Sequence, residues 1–236
     1  MKKILGIIQP GRIGDIVISL PIMKYYYDQY FRVVLPVAAP FIPFLTAAVD
    51  YVQFIPIRHS TLADTANWHS DAKNILNDFD CNKTFDLLFN MTGTDKASGE
   101  WKASGLKFDE YRYKICDVPF KEKWNLQINR NERREQELYD KMIKQDKYVV
   151  YQFNGTGFRR QIQIENNGNF QLLEINPVTN NPFDWIKILE GASKLILIDS
   201  LFANIVEQLN IPNKKFFLLR SPDIMTPTLK NEWTIL

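Results

Sequence analysis

Gln9-Pro10-Gly11-Arg12-Ile13-Gly14-Asp15-Ile16-Val17-Ile18-Ser19-Leu20-Pro21 joins an apolar run to helical spacing through two glycines. Ahead of it, Lys3-Ile4-Leu5-Gly6-Ile7-Ile8 reads as a short buried strand. Behind it, Ile16, Val17, Leu20, Met23, Tyr27 and Tyr30 fall on one helical face. A strand that breaks into a glycine-containing turn and then a helix is a common way to build a site in an α/β fold. Glycine permits a tight backbone and close approach of a ligand, and the helix N-terminus presents unpaired N–H groups. Asp15 sits where a carboxylate either caps the helix or is aimed at a substrate. Pro21 either kinks this helix or starts a second one.

Outward from this stretch the elements alternate. Arg32–Val37 is a second strand, 40–48 a short helix and Tyr51–Ile57 a third strand. That order favours parallel βαβ units. Ala63–Phe79 reads as a surface helix and Phe85–Asn90 as a fourth strand. Its following loop carries Thr92 and Thr94 on the rim where ligands sit in open α/β sheets. Ser98–Trp124 interleaves Trp101, Phe108, Tyr111, Tyr113, Phe120 and Trp124 with Lys and Arg, and is read as satellite core beneath a long loop. Asn129–Lys147 is a highly charged, solvated helix, read as a connector between an N-terminal domain, 1–145, and a C-terminal domain, 146–236.

The strand pattern then restarts. Tyr148–Phe153 runs into Asn154-Gly155-Thr156-Gly157-Phe158-Arg159-Arg160, where backbone N–H groups, a hydroxyl and paired guanidinium groups suit a phosphate. Gln161–Glu165 and Phe170–Ile175 read as a hairpin around Asn167-Gly168. Asn181-Pro182 starts a helix that ends at Gly191, and Lys194–Ile198 is a strand that delivers Asp199-Ser200 onto the next helix. That helix N-terminus is able to hold an anion. Lys215–Leu219 is the last strand, leading into Arg220-Ser221-Pro222-Asp223.

Composition narrows the function classes. In 236 residues, Lys+Arg 29 against Asp+Glu 27 leaves a net charge of +2, too balanced for a nucleic-acid binder. His59 and His69 are the only histidines, and Cys81 and Cys116 lack metal-type spacing, so no metal site is expected. The two cysteines are read as free thiols in a cytoplasmic protein. The apolar run before Pro10 is too short for a signal peptide. No stretch approaches the roughly 18–20 apolar residues of a membrane span, so membrane contact is expected to be peripheral at most. Neither a Walker pattern nor G-x-G-x-x-G is present, which argues against a dinucleotide-dependent oxidoreductase.

Three pieces together resemble a known family. Gly14-Asp15 with Pro21 downstream, Asn154-Gly155-Thr156 followed by Arg159 or Arg160, and Glu190-Gly191-Ala192 with Leu197-Ile198-Asp199-Ser200 are similar to motifs of the heptosyltransferase-type glycosyltransferases, family 9. The resemblance implies an α/β GT-B fold: two Rossmann-like domains facing a cleft, the second one reduced here. It implies an inverting, metal-independent glycosyltransferase of polysaccharide biosynthesis, transferring a hexosyl or heptosyl group without a cofactor. The donor is a nucleotide-sugar, held by the second domain. The acceptor is a glycan or glycolipid, held by the first.

By the same resemblance Asp15 is the catalytic base. Arg12, Gly14, Asn154, Gly155, Thr156, Arg159, Arg160, Asp199, Ser200 and Asn204 bind substrate. The family's late motif usually reads D-S/T-G-x-x-H, whereas here Leu201 stands at the glycine and Asn204 at the histidine. The resemblance also implies a C-terminal helix that crosses back, missing here or reduced to Asn231–Leu236. The rival reading is a non-catalytic glycan- or nucleotide-binding descendant.

Overall fold

A computed structural model describes residues 3–58, 65–91, 93–155, 158–160, 162–166, 168–220 and 223–236. The chain divides into two compact units, Met1–Asn129 and Arg130–Leu236.

The first unit runs β1 (Lys3–Ile8), α1 (Ile13–Tyr27), β2 (Phe31–Val37), α2 (Ile42–Ala48), β3 (Val52–Pro56), α3 (Thr65–Asp78), β4 (Lys83–Asp86), α4 (Lys96–Ser104) and α5 (Phe108–Ile115). Its sheet has the order β3-β2-β1-β4, and every pair is parallel. β1 is therefore internal, with Leu5 and Ile7 wholly buried, which is why its sequence is a continuous apolar run. β4 is shorter than the apolar run 85–90 predicts. Leu87 N still bonds Ile8 O at 3.0 Å, but the chain then leaves the sheet.

Helix α1 continues through Pro21 as one helix. It is buried beyond one face: Ile18 and Ile22 are covered as fully as Ile16, Val17 and Leu20. A helix apolar all round has a neighbour on both sides. The second neighbour is the aromatic stretch. Tyr113 Oη of α5 donates to Ile18 O at 3.0 Å, and Tyr26 Oη of α1 donates to Cys116 O at 2.7 Å. Trp101, Phe108 and Tyr113 are core residues, as the sequence predicts, and they sit on two regular helices, which it does not.

The second unit runs α6 (Glu132–Met142), β5 (Tyr148–Gln152), the two-residue strands β6 (Asn154–Gly155) and β7 (Phe158–Arg159), β8 (Gln171–Glu174), α7 (Ile186–Gly191), β9 (Lys194–Ile198), α8 (Leu201–Gln208), β10 (Lys214–Leu218) and β11 (Trp233–Ile235). The main sheet has the order β11-β10-β9-β5-β8 and is wholly parallel.

Three expectations change here. Among the described residues no hairpin forms over 161–175: β8 pairs in parallel with β5, Val149 opposite Leu172, and residues 162–166 form no strand. Gln161 and Asn167 lie outside the described residues. Ile162 and Ile164 pack instead on the sheet cluster of Val149, Ile196, Ile198 and Leu218. Their alternation marks burial rather than pairing. Asn166 closes the segment locally, its amide bonding Phe170 O at 2.8 Å. Among the described residues, the link from β5 to β8 holds no helix. Second, 233–235 is no remnant of a helix but strand β11, paired with β10. Its β-branched and aromatic residues suit an edge strand. Third, α6 does not connect two bodies at a boundary near residue 145. It belongs to the second unit, where Arg134 and Arg130 bond Asp184 and Glu190.

Candidate functional site

In the first unit Asp15 lies in the first turn of α1, just beyond the carboxyl end of β1. Gly14 shares that turn. Arg12 precedes it, and its side chain is exposed. Gly11 is needed for packing: a Cβ there would lie 2.8 Å from the ring of Trp68 on α3. The Asp15 carboxylate does not cap its own helix. Its Oδ1 accepts from Arg112 Nη1 of α5 at 2.8 Å, with the aspartate side chain 19% exposed and the arginine 3%. Arg112 is held in turn by Leu87 O, which Nε reaches at 3.3 Å, and by the rings of Phe108 and Phe89, 5.0 and 5.6 Å from the guanidinium carbon. Asp15 Oδ2 has no hydrogen-bond partner among the described residues. This geometry gives a partly accessible carboxylate with one oxygen anchored and one open.

The loop after β4 serves local structure. Asp95 caps α4 by accepting from Ser98 N at 3.0 Å, and Ser98 Oγ donates to Asn90 O at 2.6 Å. Thr92 lies outside the described residues.

In the second unit, Gly155, Asp199 and Ser200 gather at the carboxyl ends of β5 and β9 with a residue the motifs do not include. Arg220, just past β10, approaches Asp199 at 3.7 Å. Its Nη1 would be 3.5 Å from a Cβ on Gly155. The only sequence sign of its role is its position at the end of a parallel strand. Ser200 stands at the N-cap of α8 without capping it: its hydroxyl donates to Gln152 Oε1 at 2.6 Å. Asn204 Nδ2 bonds Ser200 O at 2.9 Å, while its Oδ1 is buried with no partner among the described residues.

Asn154 reaches Glu174 at 3.3 Å, and Arg159 is exposed on β7. Arg160 is engaged elsewhere, donating to Leu236 O at 3.0 Å and Leu219 O at 3.5 Å, which ties β11 to the sheet. Thr156 lies outside the described residues.

Beside Gln152 a pocket of about 270 Å³ opens at the same rim, lined by Gln152, Asn176, Thr179, Asn180, Trp185 and Phe202 among others. Trp185 and Phe202 meet edge to face, their centroids 6.1 Å apart. Both rings are buried beneath the pocket, whose polar groups are amides and hydroxyls. Residues 176–180 carry no motif, and nothing in their spacing marks them as a pocket wall.

The whole chain is similar to solved glycosyltransferase structures. It aligns over 100% of its length with 85% of a glycosyl transferase family 9 protein from Veillonella parvula, with a TM-score of 0.63 and 9% identity. It covers 99% of itself and 90% of the ADP-heptose lipopolysaccharide heptosyltransferase II of E. coli, at 0.53 and 12%. It covers 92% of itself against the iron-containing dodecameric glycosyltransferase TibC of enterotoxigenic E. coli, at 0.53 and 14%, and spans 58% of that protein's length. No protein-family model and no curated protein matches the chain.

The fold is GT-B-like, with two Rossmann-like units each built on a parallel sheet. Among the described residues no helix is long and apolar enough to cross a membrane. Nor is any group of three or more His, Cys, Asp or Glu side chains placed to hold a metal ion.

Proposed function

We propose that the protein is an inverting glycosyltransferase that moves a sugar from a nucleotide-sugar to a hydroxyl of a glycan or glycolipid. The observation that carries this reading is the pocket at the carboxyl rim of the second parallel sheet, whose Gln152 accepts a hydrogen bond from Ser200 at the start of α8. The GT-B-like likeness supports it. The pocket takes the nucleoside, among the amide and hydroxyl groups of Asn176, Thr179 and Asn180, with Phe202 beneath. The diphosphate lies towards Gly155, Ser200 and Arg220, with Arg159 and the α8 N-terminus adding positive potential.

The first unit takes the acceptor. As the acceptor oxygen attacks the anomeric carbon, Asp15 Oδ2 removes its proton, the bond from that carbon to the diphosphate oxygen breaks, and the nucleoside diphosphate leaves. Leaving-group charge falls to the guanidinium and hydroxyl groups of the second unit.

The test is thermal shift and calorimetry of the full chain against UDP-, GDP-, ADP- and CMP-sugars, followed by an assay for released nucleotide. A ligand that binds only the folded state raises the melting point by mass action. Binding with nucleotide release supports transfer. Binding without release, with acceptor glycans present, favours the non-catalytic descendant. No binding of any of the four removes the donor pocket.

A further inference from the structure

Helix α6 is strongly charged, and its Arg134 is not simply solvated. Arg134 is half-buried and turns the Nε–Nη2 edge of its guanidinium onto one loop. Nε donates to Asp184 Oδ1 at 3.0 Å and Nη2 to Asp184 Oδ2 at 2.7 Å. Nη2 also reaches Asn180 Oδ1 at 2.9 Å and Thr179 Oγ1 at 3.2 Å. Thr179 and Asn180 line the pocket described above, and Asp184, 4% exposed, directly precedes Trp185 of the same wall.

Residues 175–181 form no helix or strand. The other bonds of this wall are local: Thr179 Oγ1 bonds Asp184 Oδ2 and Asn181 N, Asn181 Oδ1 accepts from Phe183 N at 3.0 Å, and Val178 N and Asp184 N donate to Asn176 O and Asn181 O at 2.9 and 3.2 Å. A bidentate arginine–carboxylate pair is directional as well as strong, so the fork sets both the distance and the tilt of the wall.

We propose that Arg134 is a positioning residue for the nucleoside, holding the Thr179–Trp185 wall in its binding shape without touching the ligand. This rests on the donor-pocket reading above. Its physical basis is preorganisation. A loop already held in place spares the ligand the ordering of several side chains and a stretch of backbone. Removing the fork leaves the aromatic residues present and their placement loose.

The test is calorimetry of the full-length chain with ADP, UDP, GDP and CDP, on wild type and three variants. Arg134→Met is expected to bind the preferred nucleotide at least about tenfold more weakly. Arg134→Lys, with charge but no fork, falls between. Should Arg134→Met fail to fold, the Lys variant carries the comparison. Arg133→Met is the control: Arg133 pairs on the exposed side of α6 with Glu137 at 2.8 Å and should leave affinity unchanged. Wild-type affinity in the Arg134 variants, or an equal loss in Arg133→Met, overturns the inference and leaves the pocket reading standing. If wild type itself binds none of the four nucleotides, the pocket reading fails and takes the inference with it.

Discussion

Arg112 Nη1 donates to Asp15 Oδ1 across 2.8 Å, joining α5 to the first turn of α1 over 97 positions of sequence. The guanidinium is buried and the carboxylate half-open, so the pair is anchored from the arginine side. A carboxylate held by one oxygen presents the other in a defined direction. That is the property a general base requires before its basicity matters.

Replacing Asp15 by Asn keeps an acceptor for Arg112 but removes its counter-charge. The variant should fold, with stability lowered by about 1–3 kcal/mol, and bind nucleotide as wild type does. Nucleotide release in the presence of acceptor should fall roughly a hundredfold or more. Turnover near wild type would remove Asp15 from the mechanism, and a matched loss of nucleotide affinity would reassign it to binding.

Asp109 and Lys123 form a fully buried ion pair, 2.6 Å apart with neither side chain exposed. Lys123→Met leaves a carboxylate without its cation in the first unit's interior. Urea unfolding should show a loss of about 3–5 kcal/mol. The double variant Asp109→Leu, Lys123→Met should recover most of it, because an apolar pair needs no desolvation. A single variant as stable as wild type contradicts the burial.

Gly11 and Gly155 stand at equivalent strand ends and should respond differently. A methyl at Gly11 meets the Trp68 ring at 2.8 Å, so Gly11→Ala should destabilise by about 1–3 kcal/mol. At Gly155 the nearest atom is 3.5 Å away, an ordinary contact, so Gly155→Ala should stay within about 0.5 kcal/mol of wild type. Nucleotide affinity should nevertheless drop in Gly155→Ala, since a phosphate that approaches the backbone there meets the methyl first. Retained affinity would place the diphosphate elsewhere.

Burial raises the phenol pKa of Tyr51, Tyr113 and Tyr148 above the ordinary value. Each hydroxyl keeps its proton to donate to a carbonyl, at Gln127, Ile18 and Ile188 respectively. Above about pH 10 the unfolded chain loses protons that the folded chain keeps, so stability falls as pH rises through that value. Melting temperature should therefore decline steadily from pH 9.5 to 11. Cys116, raised in the same way, should resist thiol reagents at pH 8 until the chain unfolds. A flat alkaline melting profile contradicts these burials.

Much of the fold is legible along the chain because its signals are local. Apolar runs such as Leu5–Ile8 and Leu195–Ile198 mark strands buried on both faces, and helical spacing between them marks crossovers, so parallel sheets follow from order alone. Asp15, Gly155 and Ser200 were visible as strand-end residues for the same reason.

What tertiary structure decided is partnership. Ile162 and Ile164 alternate like a strand, yet the backbone of β5 pairs with β8, and alternation records only which side is covered. Arg112, Arg220 and Arg134 look alike in sequence, each a cation among other charges. Only the packing of α5, the end of β10 and the lie of α6 turn one to Asp15, one to Asp199 and one to Asp184. Electrostatic partners are chosen by distance in space, and spacing along the chain carries no record of it.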